Sequence, residues 1–114
     1  MLTPEEWVRQ NVLLYLTKTL GYPLSLVAVE RQIMVGKMKK RFDVLLYDRS
    51  AKPFMVIECK EMGEILTEQV IMQALRYNMT LQAPFVAVTN GLHCAACQLL
   101  GDQPKWIKAL PAFE

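Results

Sequence analysis

The sequence predicts an α/β domain with the element order α-β-β-β-α-β, a mixed sheet of four to five strands flanked by helices. Three observations carry this reading. A strong helix start and an amphipathic run open the chain. Three β-rich runs then follow before a second helical stretch. That second helix has the length of a crossover, which makes the strands on either side of it parallel under the right-handed connection rule. With 114 residues, 53% apolar and 21% charged, residues 1–114 suit one domain around a single core.

The first helix starts at Thr3-Pro4-Glu5-Glu6. Thr3 can accept from first-turn amides, Pro4 suits the first helical position, and Glu6 can close a capping box. Val8, Val12, Tyr15/Leu16 and Leu20 then recur on one helical face, and Gly21-Tyr22-Pro23 ends the run. Val27 to Val35 is β-branched and without helical period, so a strand is expected that closes on Gly36. Phe42–Tyr47 and Phe54–Lys60 read as two more strands, joined by a turn-rich loop as an antiparallel hairpin. Leu66 to Leu81 reads as the second helix and Phe85–Thr89 as a buried strand stopped by Asn90-Gly91. His93–Leu100 is expected as a last strand, and Pro104–Leu110 as a closing turn or short helix.

Composition narrows the function classes. No apolar run approaches the ~20 residues of a membrane span, and the acidic start lacks the features of a signal peptide. Cys59, Cys94 and Cys97 are an odd count with no framework spacing, which points to reduced thiols in a cytoplasm. His93-Cys94-Ala95-Ala96-Cys97 offers three soft ligands where a structural zinc wants four, and on a strand the two cysteines face opposite ways. They read as core cysteines. Net charge is only +2, but Arg31, Lys37, Lys39, Lys40 and Arg41 cluster with no acid between them. Such a cluster suits a phosphate backbone, and it also suits a solvated hairpin tip.

The chemistry centres on Asp43, Glu58 and Lys60. Strand alternation puts Glu58 and Lys60 on one face and Cys59 on the other. In the hairpin, Asp43 comes beside Glu58, giving two carboxylates with an ammonium next to them. Adjacent carboxylates repel unless a cation lies between them, and oxygen-only ligation suits Mg²⁺ or Mn²⁺. Those are parts for phosphodiester hydrolysis. On the second helix, Gln69, Gln73 and Tyr77 recur every four residues as one stripe beside Arg76, while Val70, Ala74 and Leu81 can face the sheet. Amides, a phenol and a guanidinium suit phosphate and sugar contacts.

Nearly the whole chain, Met1 to about Leu110, resembles the N-terminal nuclease domain of type I restriction-enzyme R subunits, within the PD-(D/E)XK superfamily. The stretches that carry the resemblance are Thr-Pro-Glu-Glu-Trp-Val-Arg-Gln (3–10), Lys-Arg-Phe-Asp-Val-Leu-Leu-Tyr-Asp (40–48) and Phe-Met-Val-Ile-Glu-Cys-Lys (54–60), followed by Gln-Ala-Leu-Arg-Tyr-Asn (73–78) and Val-Thr-Asn-Gly-Leu (88–92). Their order together is more specific than any one of them. The resemblance implies a restriction-endonuclease-like core, with Asp43 and Glu58 as metal ligands and Lys60 as the catalytic lysine. It also implies that Gln73 and Tyr77 form a Q-x-x-x-Y motif that positions DNA. Phe42 stands where the superfamily pattern has proline, a common replacement in this branch. Many such nucleases take a further acid from the first helix, for which Glu6 is the candidate, although capping already accounts for it.

The sequence therefore leads to a Mg²⁺- or Mn²⁺-dependent deoxyribonuclease, of endonuclease type, acting on DNA. Its DNA contacts are expected from Gln69, Gln73, Arg76 and Tyr77 and from Lys37, Lys39, Lys40 and Arg41. Glu30 has no evident partner. No Walker A pattern occurs in these residues, so translocation or sequence recognition is expected from a partner, such as a restriction-modification or motor subunit, or is missing. The alternatives are a nucleic-acid-binding module that cuts little, and an interaction domain of a restriction-like assembly, for which a homodimer would speak.

Overall fold

In the computed structural model, residues 3–101 and 103–114 are described; Met1, Leu2 and Asp102 lie outside them. Helix α1 (Pro4–Leu14) begins as its sequence dictates. The Glu6 amide donates to the Thr3 hydroxyl, and the Glu6 carboxylate accepts from the Thr3 amide. The helical path then continues as a wider π-type segment, Tyr15–Thr19, up to Gly21.

Six strands form one sheet in sequence order: β1 (Val27–Val35), β2 (Met38–Tyr47), β3 (Pro53–Cys59), β4 (Phe85–Thr89), β5 (Cys94–Leu100) and β6 (Gln103–Ile107). All neighbours are antiparallel except β3 and β4, which are parallel and joined through helix α2 (Glu68–Leu81). The sheet is thus larger than the four to five strands expected. The extra strand is β6, where a closing turn or short helix was expected. It pairs with β5 and carries Pro104 on an edge, the place where a sheet tolerates a residue without an N–H. The hairpin β1–β2 is also tighter than expected. Strand β2 starts at Met38, not Phe42, so Lys39, Lys40 and Arg41 lie on a strand and not in a loop.

The helices cover opposite faces. Because strand side chains alternate, Met55, Ile57 and Cys59 point to one face of β3 and Val56 and Glu58 to the other. Val8 and Leu16 from the first helical run pack on the former, with Val44, Leu46 and Ala87. From α2, Ala74 packs on Val86, Val88 and Cys97, and Tyr77 and Leu81 lie against Phe42, Leu45 and Val56. Burying each such large side chain is worth about 1.5–3 kcal/mol, enough to fix which face of β3 points where. Among the described residues no helix is long and apolar enough to cross a membrane.

Candidate active site

The strand pairing sets the site. Val44 lies opposite Ile57 and Leu45 opposite Val56, and the same register carried one step further brings Asp43 opposite Glu58. Backbone amides then lock the two carboxylates crosswise. The Cys59 amide donates to Asp43 Oδ2 at 2.8 Å, and the Asp43 amide donates to Glu58 Oε1 at 3.4 Å. Each acid is therefore held by the other's strand. Lys60 follows directly at the end of β3, where its amide donates to the Thr89 carbonyl of β4 at 2.8 Å.

Asp43, Glu58 and Lys60 line a single cleft of about 370 Å³. Its walls add Thr3, Glu5, Glu6 and Arg9 from the start of α1, Glu30 from β1, and Lys40 and Arg41 from β2. Five carboxylates and four cations thus face one small volume. A larger hollow of about 470 Å³, beside Tyr22, Phe54, Phe85 and Phe113, is mainly aromatic and contains none of these groups.

The charges inside the cleft perturb one another. Glu58 is only 6% exposed, and burial followed by the neighbouring Asp43 carboxylate raises its pKa above the ordinary carboxylate range. Lys40 opposes that shift without cancelling it, with Nζ 3.2 Å from Glu58 Oε2. Glu5 is raised too, first by partial burial and then by Asp43, with Lys60 pulling the other way. Arg9 is partly buried, which opposes its charge, but the Glu30 carboxylate 2.8 Å away outweighs that and raises its pKa. Cys59 points into the core beneath the site, and burial pushes its thiol up to about 12.

Two further acids are placed by the structure. Glu6 is engaged in the capping box, whereas the adjacent Glu5 is the acid whose charge couples to Asp43 and Lys60. Both Glu5 and Glu6 line the cleft. Glu30, which had no evident partner, pairs with Arg9 and lies 3.8 Å from Arg41. Its backbone is left-handed (φ 52°), between the register pairs Val29↔Val44 and Arg31↔Phe42 and so across from Asp43. Backbone of that kind is uncommon outside glycine and concentrates at functional sites.

Residues 4–111 match the family described as the type I restriction enzyme R protein N terminus. The chain belongs to that family. No curated protein matches it. Among solved structures it is similar to a fragment of the protein taken to be the HsdR subunit of a type I restriction enzyme from Vibrio vulnificus YJ016. The two share 22% identity at a TM-score of 0.70, over 97% of this chain and 24% of the other, a likeness of fold. The type IIG restriction endonuclease BpuSI aligns at 15% identity and a TM-score of 0.49, over 89% of this chain and 11% of that one. The chain spans about a quarter of the V. vulnificus fragment.

In this R-protein N-terminal domain, α2 lies beside the cleft through one contact. The Lys40 ammonium sits 4.9 Å from the centre of the Tyr77 ring, and the Gln73 side-chain amide donates to the Tyr77 hydroxyl at 3.3 Å. Gln69, Gln73 and Arg76 are exposed and Tyr77 is half-buried. Lys37, Lys39 and Arg41 are exposed, while Lys40 is turned inward, so the basic hairpin does not present its cations on one side. On β5, Cys97 is the core cysteine that was expected, whereas Cys94, at the strand's start, is exposed, as is His93 before it. Among the described residues no three His, Cys, Asp or Glu side chains converge as a ready-made metal cluster.

Proposed function

We propose that the domain is a divalent-metal-dependent deoxyribonuclease of PD-(D/E)XK type that cuts DNA phosphodiesters endonucleolytically. The observation that carries this is the crosswise-held Asp43–Glu58 pair, with Lys60 on the same cleft at the end of the parallel strands. Mg²⁺ or Mn²⁺ fits the donors present. They are oxygens only, the Cys59 thiol is turned into the core, and Glu58 bears an electrostatic cost beside Asp43 that a cation would relieve. Two carboxylates leave positions for water and substrate, as Mg²⁺ prefers. Bound there, the ion would supply Lewis-acid polarisation of a phosphoryl oxygen and a more acidic water.

The chain's own residues do the rest. Asp43 and Glu58 would hold the ion, each kept in place by a backbone amide. Lys60 would orient the attacking water and offset the charge that builds on the phosphoryl oxygens in the transition state. Glu5 is a better candidate than Glu6 for an additional acid, because Glu6 is committed to the cap. Gln69, Gln73, Arg76 and Tyr77 would contact the DNA backbone from α2, and Lys37, Lys39 and Arg41 from the hairpin. Within a restriction-modification assembly in the cytoplasm, any motor and sequence recognition would come from outside this domain.

The test is nicking of plasmid DNA with Mg²⁺, Mn²⁺ or EDTA, together with Mn²⁺ calorimetry. Asp43→Asn and Glu58→Gln should lose both ion binding and nicking. Lys60→Ala should still bind Mn²⁺ yet lose turnover by roughly 100-fold or more, since its charge acts mainly in the transition state. Nicking that survives in all three sinks the assignment. One observation favours a second reading, a DNA-binding module that cuts little: Glu58 already has a protein cation as partner in Lys40. Wild-type protein that binds Mn²⁺ and DNA without cutting would establish it.

A further inference from the structure

Of Lys37, Lys39, Lys40 and Arg41, the hairpin cations expected to contact DNA, Lys40 is the one that is not exposed. Its ammonium lies 3.2 Å from Glu58 Oε2 and 4.9 Å from the Tyr77 ring centre, with the Phe42 ring at 6.0 Å. The Glu58 side chain is 8% exposed and that of Lys40 24%, so the pair is shielded from water on the carboxylate side and reachable on the ammonium side. Glu58 Oε1 accepts from the Asp43 amide at 3.4 Å and Oε2 from the Lys40 ammonium at 3.2 Å, so an ion that binds through Oε2 meets Lys40 directly. A dication ligated there would lie within a few ångströms of the ammonium, and their repulsion is twice that of two unit charges at the same distance.

We infer that Lys40 is a built-in competitor for the metal at Glu58, displaced by the ion from the carboxylate and retained on the Tyr77 face, where it becomes a phosphate contact. This rests on the nuclease reading above. The Tyr77 ring, already 4.9 Å away, holds the ammonium once the Glu58 contact is lost, because an aromatic face attracts an ammonium. The Gln73 amide at 3.3 Å fixes the Tyr77 hydroxyl and so the position of that shelf. Released from Glu58, the ammonium stays over the Tyr77 ring, on the stripe of α2 that would meet the DNA backbone. One side chain thus keeps the metal-free cleft neutralised and joins the DNA surface only when the ion is in place. Metal and DNA then bind with positive cooperativity. Lys40 is a positioning residue in this account; it does not touch the reacting phosphate.

The experiment is Mn²⁺ calorimetry on the folded, DNA-free protein. Lys40→Met removes the competitor while keeping the aliphatic stem over Tyr77, and should tighten Mn²⁺ binding about tenfold, the scale of one charge within 4–6 Å. Lys40→Arg keeps the charge and should bind Mn²⁺ within about twofold of wild type. A merely structural lysine would leave Mn²⁺ affinity unchanged or weakened in a folded Lys40→Met protein, and that result overturns the proposal while leaving the metal site standing. Absence of Mn²⁺ binding in wild type and both variants overturns the metal reading and this proposal together. Should Lys40→Met fail to fold, Mg²⁺ titration of the wild type decides the matter through the Lys40 side-chain NMR signals. They should shift on saturation, and unmoved signals overturn the proposal.

Discussion

At the scale of single residues, the site is governed by Glu58. Its pKa is raised despite Lys40, which means that burial and Asp43 together outweigh the ion pair. A carboxyl with a raised folded-state pKa contributes stability that is fully present below its unfolded value and lost as pH rises through the folded value. Metal-free protein should accordingly lose stability from this group as pH climbs from about 4.5 toward neutrality. Glu58→Gln should raise the metal-free Tm at pH 7 by a few degrees and flatten its pH dependence over that window, while Mn²⁺ should no longer stabilise the variant. Thermal unfolding from pH 4 to 8 checks it, and a lower Tm at pH 7 would show that the Lys40 pair dominates after all. Asp43, Glu58 and Lys60 were legible in the sequence because strand alternation and hairpin pairing are short-range rules. The Lys40 contact was not, since it joins a strand to a helix more than thirty residues away, and local spacing does not report tertiary packing. The proximity of Glu5 to Asp43 and Lys60 was not legible either: Thr3 and Glu6 announce a cap, and nothing in the spacing says where the neighbouring Glu5 side chain lies.

At the scale of elements, α2 has to hold Gln73 and Tyr77 in place, and its C-terminal end is secured by Asn78. That side chain is fully buried, donates to the Ala83 carbonyl at 2.9 Å and accepts from the Ala83 amide at 3.1 Å. The two bonds span Gln82, which takes the left-handed conformation at the helix end (φ 57°). Asn78→Ala leaves both Ala83 groups without their partner in the core and should cost about 2–4 kcal/mol in urea unfolding. Gln82→Gly should act in the opposite direction, gaining up to about 1 kcal/mol, because glycine adopts that backbone freely. A neutral Asn78→Ala would mean that the helix end is held by apolar packing alone. The existence and order of the helices and the first five strands were legible from periodicity and turn residues. Strand β6 was hidden because Gln103-Pro104-Lys105-Trp106-Ile107 lacks β-branched alternation and contains a proline. Its pairing with β5 is a tertiary gain, of the kind local sequence does not report. The early start of β2 was hidden likewise, since Lys39, Lys40 and Arg41 read as loop until Met34↔Lys39 and Ile33↔Lys40 pair them into the hairpin.

At the scale of the whole molecule, the net charge of +2 conceals a division of labour. The cleft gathers five carboxylates with four cations, close to neutral without a metal, so it has little pull on a polyanion by itself. Lys37 and Lys39 lie outside it and Arg41 at its edge, all exposed on the β1–β2 hairpin, and they can meet phosphates whether or not a metal is bound. DNA binding in EDTA should then be carried by the hairpin and weaken steeply with salt. Each phosphate contact contributes about 0.9 to the slope of log K against log salt, so replacing Lys37, Lys39 and Arg41 together should flatten it by roughly 2–3. Lys40→Met should leave the EDTA slope unchanged, because its ammonium is held by Glu58. The measurement is fluorescence anisotropy with a short duplex between about 50 and 200 mM salt, the range over which such slopes are resolved. An EDTA slope untouched by the triple replacement would make the hairpin a solvated tip and place DNA binding on α2 alone. A slope that falls with Lys40→Met would mean that this lysine reaches phosphate while still paired with Glu58.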